Sequence, residues 1–260
     1  MIETITSRDN PKIRRAAKLQ ASKNAREKEQ LFCCEGEKLL REALQCGAAV
    51  EQVFLSDALP QPETLALVPH SYLVPQRLME YISGVETPQG VLFVCRMRPL
   101  GDVLPAGPCL VLEDVRDPGN LGTAVRTAEA FGVPLALTGH CAELYNPKTI
   151  RSTMGSIFRA RLLRLSREAL WSQLDAMGKA AYAAALSPRA RDIRQASLAD
   201  AAVVVGNEAR GVSDAMKAHC RGEVIIPIQG AESLNAGVAA ALVMWEMVRS
   251  ASPAGEAAAF

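Results

Sequence analysis

No stretch of this chain runs through the roughly 18 consecutive apolar residues that a bilayer-spanning helix needs. The longest candidate, Val238 to Trp245, is rich in alanine and stops at Glu246, so no membrane association is expected. The opening Met1-Ile2-Glu3-Thr4 has an early acid and no apolar core, and no signal peptide is expected there. Charge is not in excess either: 29 Lys and Arg stand against 28 Asp and Glu, a net +1. The seven cysteines are odd in number, with no C-x-x-C pair and no Cys/His cluster of metal-ligand spacing. That argues against a disulfide framework and against a metal site. Adjacent Cys33 and Cys34 suit a disulfide poorly, and the scattered, apolar-flanked thiols read as reduced cysteines of a cytoplasmic protein. Three nucleotide and hydrolase signatures are also missing: G-x-x-x-x-G-K-[ST], G-x-G-x-x-G and G-x-S-x-G. The three histidines, His70, His140 and His219, fall outside the loops described below, so imidazole acid–base chemistry is not expected.

What is present is a 49% hydrophobic chain of 260 residues, too apolar for disorder and long enough for one large domain or two modest ones. The even charge balance hides a local asymmetry. Met1 to Lys28 holds eight basic residues, Arg8, Lys12, Arg14, Arg15, Lys18, Lys23, Arg26 and Lys28, against three acids. Lys148 to Arg167 carries Arg151, Arg159, Arg161 and Arg164 with no acid at all. Such runs either touch phosphate backbones or form solvated helix faces; composition leaves both readings open.

Proline and glycine cluster at Pro99-Leu100-Gly101 and Pro105-Ala106-Gly107-Pro108. The expected organisation is a small α/β domain over residues 1–98, a linker over 99–108, a second domain over 109–250 and a frayed alanine-rich tail over 251–260. In the first part, Ser7–Gln20, Glu37–Cys46 and Pro75–Ile82 have helical spacing. Leu31–Cys34, Gln52–Leu55 and Gly90–Cys95 read as strands. In the second, strand patterns at Cys109–Glu113, Pro134–Leu137, Ala180–Leu186, Ala201–Val205 and Val224–Ile228 alternate with helical ones. Those are Gly122–Phe131, Pro147–Met154, Glu168–Met177 and Leu234–Val248. Such alternation implies a parallel sheet covered on both faces.

Ligands of open parallel sheets bind at the carboxyl ends of the strands. Three loops follow strands directly and carry unusual residues: Asp117-Pro-Gly-Asn120-Leu-Gly122, Gly206-Asn207-Glu208-Ala-Arg210-Gly211, and Pro227-Ile228-Gln-Gly-Ala-Glu-Ser233-Leu234-Asn235. Each has a plain structural reading. Asn120 is a turn residue, Ser233 an N-cap, and Glu208 with Arg210 a surface pair. Together they place glycine turns and free helix-start N–H groups around one potential pocket.

The three loops resemble the motifs of a known family, the SpoU (TrmH-type) branch of the SPOUT RNA methyltransferases. Asn120-Leu-Gly-Thr-Ala-Val-Arg126-Thr-Ala-Glu-Ala-Phe-Gly132 resembles its first motif and Val205-Gly-Asn-Glu-Ala-Arg-Gly211 its second. Ile226-Pro-Ile with Ser233-Leu-Asn-Ala-Gly-Val-Ala-Ala239 resembles its third. Lys148-Thr-Ile-Arg-Ser-Thr-Met-Gly-Ser156-Ile-Phe158 is similar to a further recurrent segment, and the likeness spans about Leu110 to Val248. More loosely, Ser7 to Lys12, Phe32 with Glu35-Gly36, and Thr87 to Val91 resemble the family's RNA-binding extension, a ribosomal-protein-like α/β module.

The resemblance implies an α/β fold whose C-terminal parallel sheet ends in a trefoil knot, although general topology rules would exclude one. It implies transfer of a methyl group from S-adenosylmethionine to a ribose 2′-hydroxyl of RNA, with ribosomal RNA ranked ahead of transfer RNA and both left open. It also implies a homodimer with the site shared across the interface. Carried over, Gly206, Asn207, Gly211, Ile226, Ile228, Leu234 and Asn235 would hold the cofactor. Arg126 would be catalytic, with Asn120, Glu208, Ser233 and Asn235. Arg126 acts either by binding phosphate and stabilising negative charge on the ribose oxygen, or more boldly as the base. Arg8, Lys12, Arg14, Arg15, Lys18, Lys148, Arg151, Ser156 and Phe158 would meet RNA. Phe158 either stacks on a base or is core. Val238, Leu242 and Trp245 form a stripe that is either dimer contact or intramolecular core. A catalytically silent RNA-binding protein of the same fold is the alternative.

Overall fold

A computed structural model describes residues 2–58, 68, 70–229 and 233–251. Gly230, Ala231 and Glu232 of the third loop and residues 252–260 of the expected tail lie outside the described residues. The chain forms two compact units, one of Met1–Pro99 with Glu143–Phe158 and one of Leu100–Ala142 with Arg159–Phe260.

In chain order the elements run β1 (Glu3–Thr4), α1 (Pro11–Ala21), α2 (Lys23–Glu29), β2 (Leu31–Glu35), α3 (Glu37–Gln45), β3 (Val50–Ser56), β4 (Ser71–Val74), α4 (Gln76–Ser83) and β5 (Val91–Arg96). There follow β6 (Cys109–Glu113), α5 (Pro118–Phe131), β7 (Leu135–Thr138), α6 (Pro147–Thr153), β8 (Leu162–Arg164), α7 (Arg167–Met177) and β9 (Ala181–Ala184). The last are β10 (Arg191–Asp192), β11 (Ala202–Val205), α8 (Asp214–His219), β12 (Gly222–Ile225) and α9 (Ala236–Ala251).

The first unit is a mixed five-stranded sheet in the order β1-β4-β3-β5-β2. Strand β5 is antiparallel to both β2 and β3, whereas β1, β4 and β3 run parallel. Helix α1 starts as a capped helix should: the Asn10 side chain accepts from the Lys12 amide and Pro11 stands in the first turn. It buries Ile13, Ala16 and Leu19 with Phe54, Leu92 and Val94 of the sheet. Buried thiols are part of this packing, and burial pushes Cys33 up to about 12, so it is an inert core group.

A segment from far along the chain completes this unit. Residues 143–158, with α6 and a 3-10 turn at Ser156–Phe158, were expected inside the second domain and pack instead into the first. Glu143 receives both Nε and Nη2 of Arg26 at 2.6 Å, and Arg26 is 2% exposed. The Tyr145 ring lies 4.7 Å from Phe32 and the Phe158 ring 6.3 Å from it. Tyr145 Oη also accepts from the Arg98 amide and donates to the Arg98 carbonyl.

The second unit holds seven strands, all parallel, in the order β10-β12-β9-β11-β6-β7-β8. Parallel pairing buries both faces, and β6, β7 and β11 are buried along their whole length. Helix α5 begins four residues before the expected Gly122, because Asp117 caps it and Pro118 fits its first turn. The stretch expected as a free linker is packed into this unit. Gly101 bridges β8, its amide donating to the Leu162 carbonyl at 3.0 Å, and Leu104 is buried. Buried Lys179 ties down the Pro105 and Gly107 carbonyls and Asp200. Strands β1, β8 and β10, two or three residues long, and the six-residue α8 escaped the sequence patterns because each is too brief for a periodicity to register; β4 and α2 were also not read.

Candidate active site

The three loops singled out in the sequence leave the carboxyl ends of β6, its neighbour β11, and β12 one strand beyond β9, and hydrogen bonds draw them together. Glu208, on the loop after β11, accepts from the amides of Arg116 (3.3 Å) and Asp117 (3.1 Å) on the loop after β6. It also accepts from the Asn120 side chain at 3.0 Å. Asn120 in turn accepts from Asn235 Nδ2 at 2.8 Å. Asn235 Oδ1 receives the Gly237 and Val238 amides, capping α9. One polar chain, Glu208–Asn120–Asn235, therefore joins all three loops. Partial burial alone would raise the Glu208 carboxyl, but the Asn120 hydrogen bond and those from backbone amides outweigh it and hold the group below its ordinary value. It is an ionised acceptor at neutral pH.

The second loop closes on itself as a pin. The Asn207 amide donates to the Gly211 carbonyl at 3.0 Å and the Gly211 amide returns the bond to Asn207 at 2.8 Å. Gly206 is required by close approach: a Cβ there would lie 2.2 Å from the Gly211 carbonyl carbon and 2.3 Å from the Val212 nitrogen.

Beside the pin lies a cleft of about 430 Å³. Its walls include Gly206, Asn207, Glu208, Gly211, Ile226, Ile228, Ser233 and Leu234. The volume is in the range of small-ligand sites, and the mix of apolar side chains with a few convergent polar groups is what such sites show. Of the expected cofactor residues, only Asn235 stands off the wall, hydrogen-bonded to Asn120. The carboxyl end of β9, with Ala184 to Leu186, and Lys217 of α8 also form walls. Sequence reasoning placed no role on them. The rule that ligands gather at strand ends would have included the β9 loop, whereas Lys217 comes from a helix too short to be read.

Arg126 is not brought to this polar chain. It stands on the solvent face of α5, six residues and therefore about 9 Å along the axis from Asn120. Among the described residues it makes no hydrogen bond or ion pair. The stripe Val238, Leu242 and Trp245 on α9 is exposed, at 47%, 40% and 43%. The core reading of that stripe is therefore corrected. Trp245 lies 5.8 Å from Phe131 of α5, the helix that carries Arg126.

The expected RNA-contacting residues belong to the first unit, and the structure sorts them. Arg14 and Lys18 are exposed on one face of α1, four residues apart. Arg15 is held by Glu29 and Glu51, and Lys12 by Glu3 and the Tyr72 ring. Arg8 lies 3.7 Å above the Tyr81 ring. Lys148 and Arg151 are exposed on α6. Two expectations fail. Phe158 is 6% exposed and Ser156 3%, because the aromatic cluster with Phe32 and Tyr145 takes them into the core, so Phe158 has no free face for a base. Among the described residues there is no cluster of potential metal ligands and no helix long and apolar enough to cross a membrane.

A wholly parallel sheet with a small-ligand cleft at its strand ends, walled by the second and third motif-bearing loops, with the first tied to them through Glu208–Asn120–Asn235, and lacking any phosphate loop, defines an α/β cofactor-binding enzyme domain. Residues 107–245 match the SpoU rRNA Methylase family model and residues 10–92 match the MRM3-like substrate binding domain. The chain belongs to the SpoU rRNA methylase family, and it is an RNA methyltransferase. It is 34% identical over 250 residues to a Bacillus subtilis protein named 23S rRNA (guanosine(2553)-2'-O)-methyltransferase RlmP, covering 95% of this chain and 99% of that one. It is 31% identical to the 23S rRNA (uridine(2479)-2'-O)-methyltransferase of Streptomyces viridochromogenes, over 68% of this chain and 66% of that one. Among solved structures, an AdoMet-bound rRNA methyltransferase from Sinorhizobium meliloti superimposes with a TM-score of 0.85 at 29% identity, over 95% of this chain and 98% of the other.

Proposed function

We propose that this protein transfers the methyl group of S-adenosylmethionine to a ribose 2′-hydroxyl of ribosomal RNA. The observation that carries the reading is the cleft itself, whose walls bear the second and third family motifs. Its pinned loop, its apolar residues Ile226, Ile228 and Leu234 and its few polar groups suit an adenosine held largely by backbone groups. When bound, S-adenosylmethionine supplies a methyl group already activated on a sulfonium, so the protein's task is positioning. Glu208 keeps Asn120 and the Arg116–Asp117 backbone in place, which fixes the start of α5 against the cleft. Arg126 is a hydrogen-bond donor, not a base, since a guanidinium stays protonated throughout the working pH range. It binds a phosphate next to the reacting ribose and stabilises charge growing on the 2′-oxygen as the hydroxyl proton passes to water and the cofactor would leave as the neutral thioether.

The exposure of Arg126 and of the Val238–Leu242–Trp245 stripe supports a homodimer in which Arg126 serves the partner's cleft. The return of the chain from β12 to α9, packed on α5, supports a knotted C-terminal segment. The first unit, with bare Arg14, Lys18 and Arg151, is the RNA-binding module, the second the methyltransferase domain, and the setting is cytoplasmic. Calorimetric titration of S-adenosylmethionine into the full-length protein tests the cofactor assignment. One site per chain is expected, and no binding would reject it.

A further inference from the structure

Behind the pinned loop lies a charged network centred on Arg167, which is neither a wall of the cleft nor a member of the polar chain. Arg167, the first residue of α7, donates from Nε to Glu113 Oε1 at 2.9 Å and from Nη2 to Asp114 Oδ2 at 2.6 Å. Glu113 ends β6 and is 1% exposed. It accepts the Ser213 amide at 2.8 Å and the Ser213 hydroxyl at 2.7 Å. Asp114 sits at φ +55°, in the left-handed region that residues with a Cβ adopt uncommonly, aspartate more readily than most. It is held on two sides: its carboxylate accepts the His140 amide as well as Arg167, and its carbonyl accepts the Asn207 side chain at 2.9 Å.

These contacts reach the loop at two points. Asn207 is its second residue and a wall of the cleft, and Ser213 closes it and caps α8 through the Met216 amide. Both lead back to one guanidinium. Burial of a carboxylate such as Glu113 is offset by a counter-charge and hydrogen-bond donors, and Arg167 is a cation that contacts it. The rigid fork of an arginine is also what lets one side chain fix two neighbouring carboxylates at once.

We propose that Arg167 is a positioning residue for the cofactor cleft, gripping the pinned loop at both ends through Glu113–Ser213 and Asp114–Asn207. This rests on the cleft's being the S-adenosylmethionine site. Loss of the grip frees the loop and weakens cofactor binding while leaving the RNA-binding unit untouched.

The test compares full-length wild type with Arg167→Gln and Arg167→Lys. It measures S-adenosylmethionine affinity by calorimetry, RNA affinity, and amide hydrogen exchange along the chain. Arg167→Gln is expected to weaken cofactor affinity about tenfold, to speed exchange in residues 206–213 selectively, and to leave RNA affinity unchanged. Arg167→Lys, with charge but no fork, is expected to fall in between. Should Arg167→Gln fail to fold, Ser213→Ala against Ser213→Thr reads the same clamp: the alanine weakens binding and the threonine, which keeps the hydroxyl, restores it. Cofactor affinity within twofold of wild type in Arg167→Gln, exchange accelerated evenly over the second unit, or Ser213→Thr as weak as Ser213→Ala would overturn the proposal. Failure of the wild type to bind the cofactor would instead remove the cleft assignment beneath it.

Discussion

Arg126 presents a free charge and Glu208 a fixed one. Glu208 takes bonds from both the backbone and Asn120, so its charge is spent on structure. Arg126 has no partner among the described residues and faces solvent, so its charge remains available for a phosphate or a developing oxyanion. Replacing Arg126 with alanine is therefore expected to leave S-adenosylmethionine affinity within about twofold of wild type. The same change should lower methyl transfer by two orders of magnitude or more, about the loss of a donor to a developing oxyanion. Single-turnover labelling beside calorimetry separates the two effects. An active Arg126→Ala enzyme would show that another group stabilises the reacting oxygen. The residue types of the cleft were legible in the sequence because each motif is local: a strand, a glycine turn and a helix start within a dozen residues. Arg126's isolation was not, since which way a helical side chain faces depends on what packs against the helix.

At the scale of elements, α6 and α9 carry the consequences. The segment 143–158 that contains α6 follows β7 in the chain, and its sequence belongs to the methyltransferase match, but Glu143 and Tyr145 find their partners Arg26 and Phe32 more than a hundred residues earlier. No local pattern reports such a partnership, which explains why Phe158 was open to two readings and why the division near residue 99 missed this segment. Removing one partner of a buried ion pair strands the other, at a cost of about 3–5 kcal/mol. Arg26→Met should accordingly speed amide exchange across residues 143–158 while α5 keeps its protection. Unchanged exchange there would mean that the aromatic cluster alone holds the segment. For α9, Trp245→Glu places a charge in the exposed stripe. Sedimentation at micromolar concentration should show a wild-type dimer and a monomeric variant, and a monomeric wild type would contradict the proposed assembly.

The whole molecule joins two units with separate tasks. The mixed sheet and its added segment present bare cations, and the parallel sheet presents a cleft. The alternation of strands and helices announced both sheets, and the three loops announced the site, because parallel strands deliver their carboxyl ends to one edge. What no pattern announced was the way long-range packing recruits pieces: the Pro/Gly stretch into the second unit through Lys179 and Gly101, and residues 143–158 into the first. The central claim is that this cleft delivers a methyl group to a sugar oxygen of ribosomal RNA. The most direct measurement incubates the purified protein with methyl-labelled S-adenosylmethionine and unmodified ribosomal RNA, then maps the labelled nucleotide. Label on the 2′-oxygen of a defined ribose, lost in Arg126→Ala, is the expected result; label on a base, or none at all, would contradict the account.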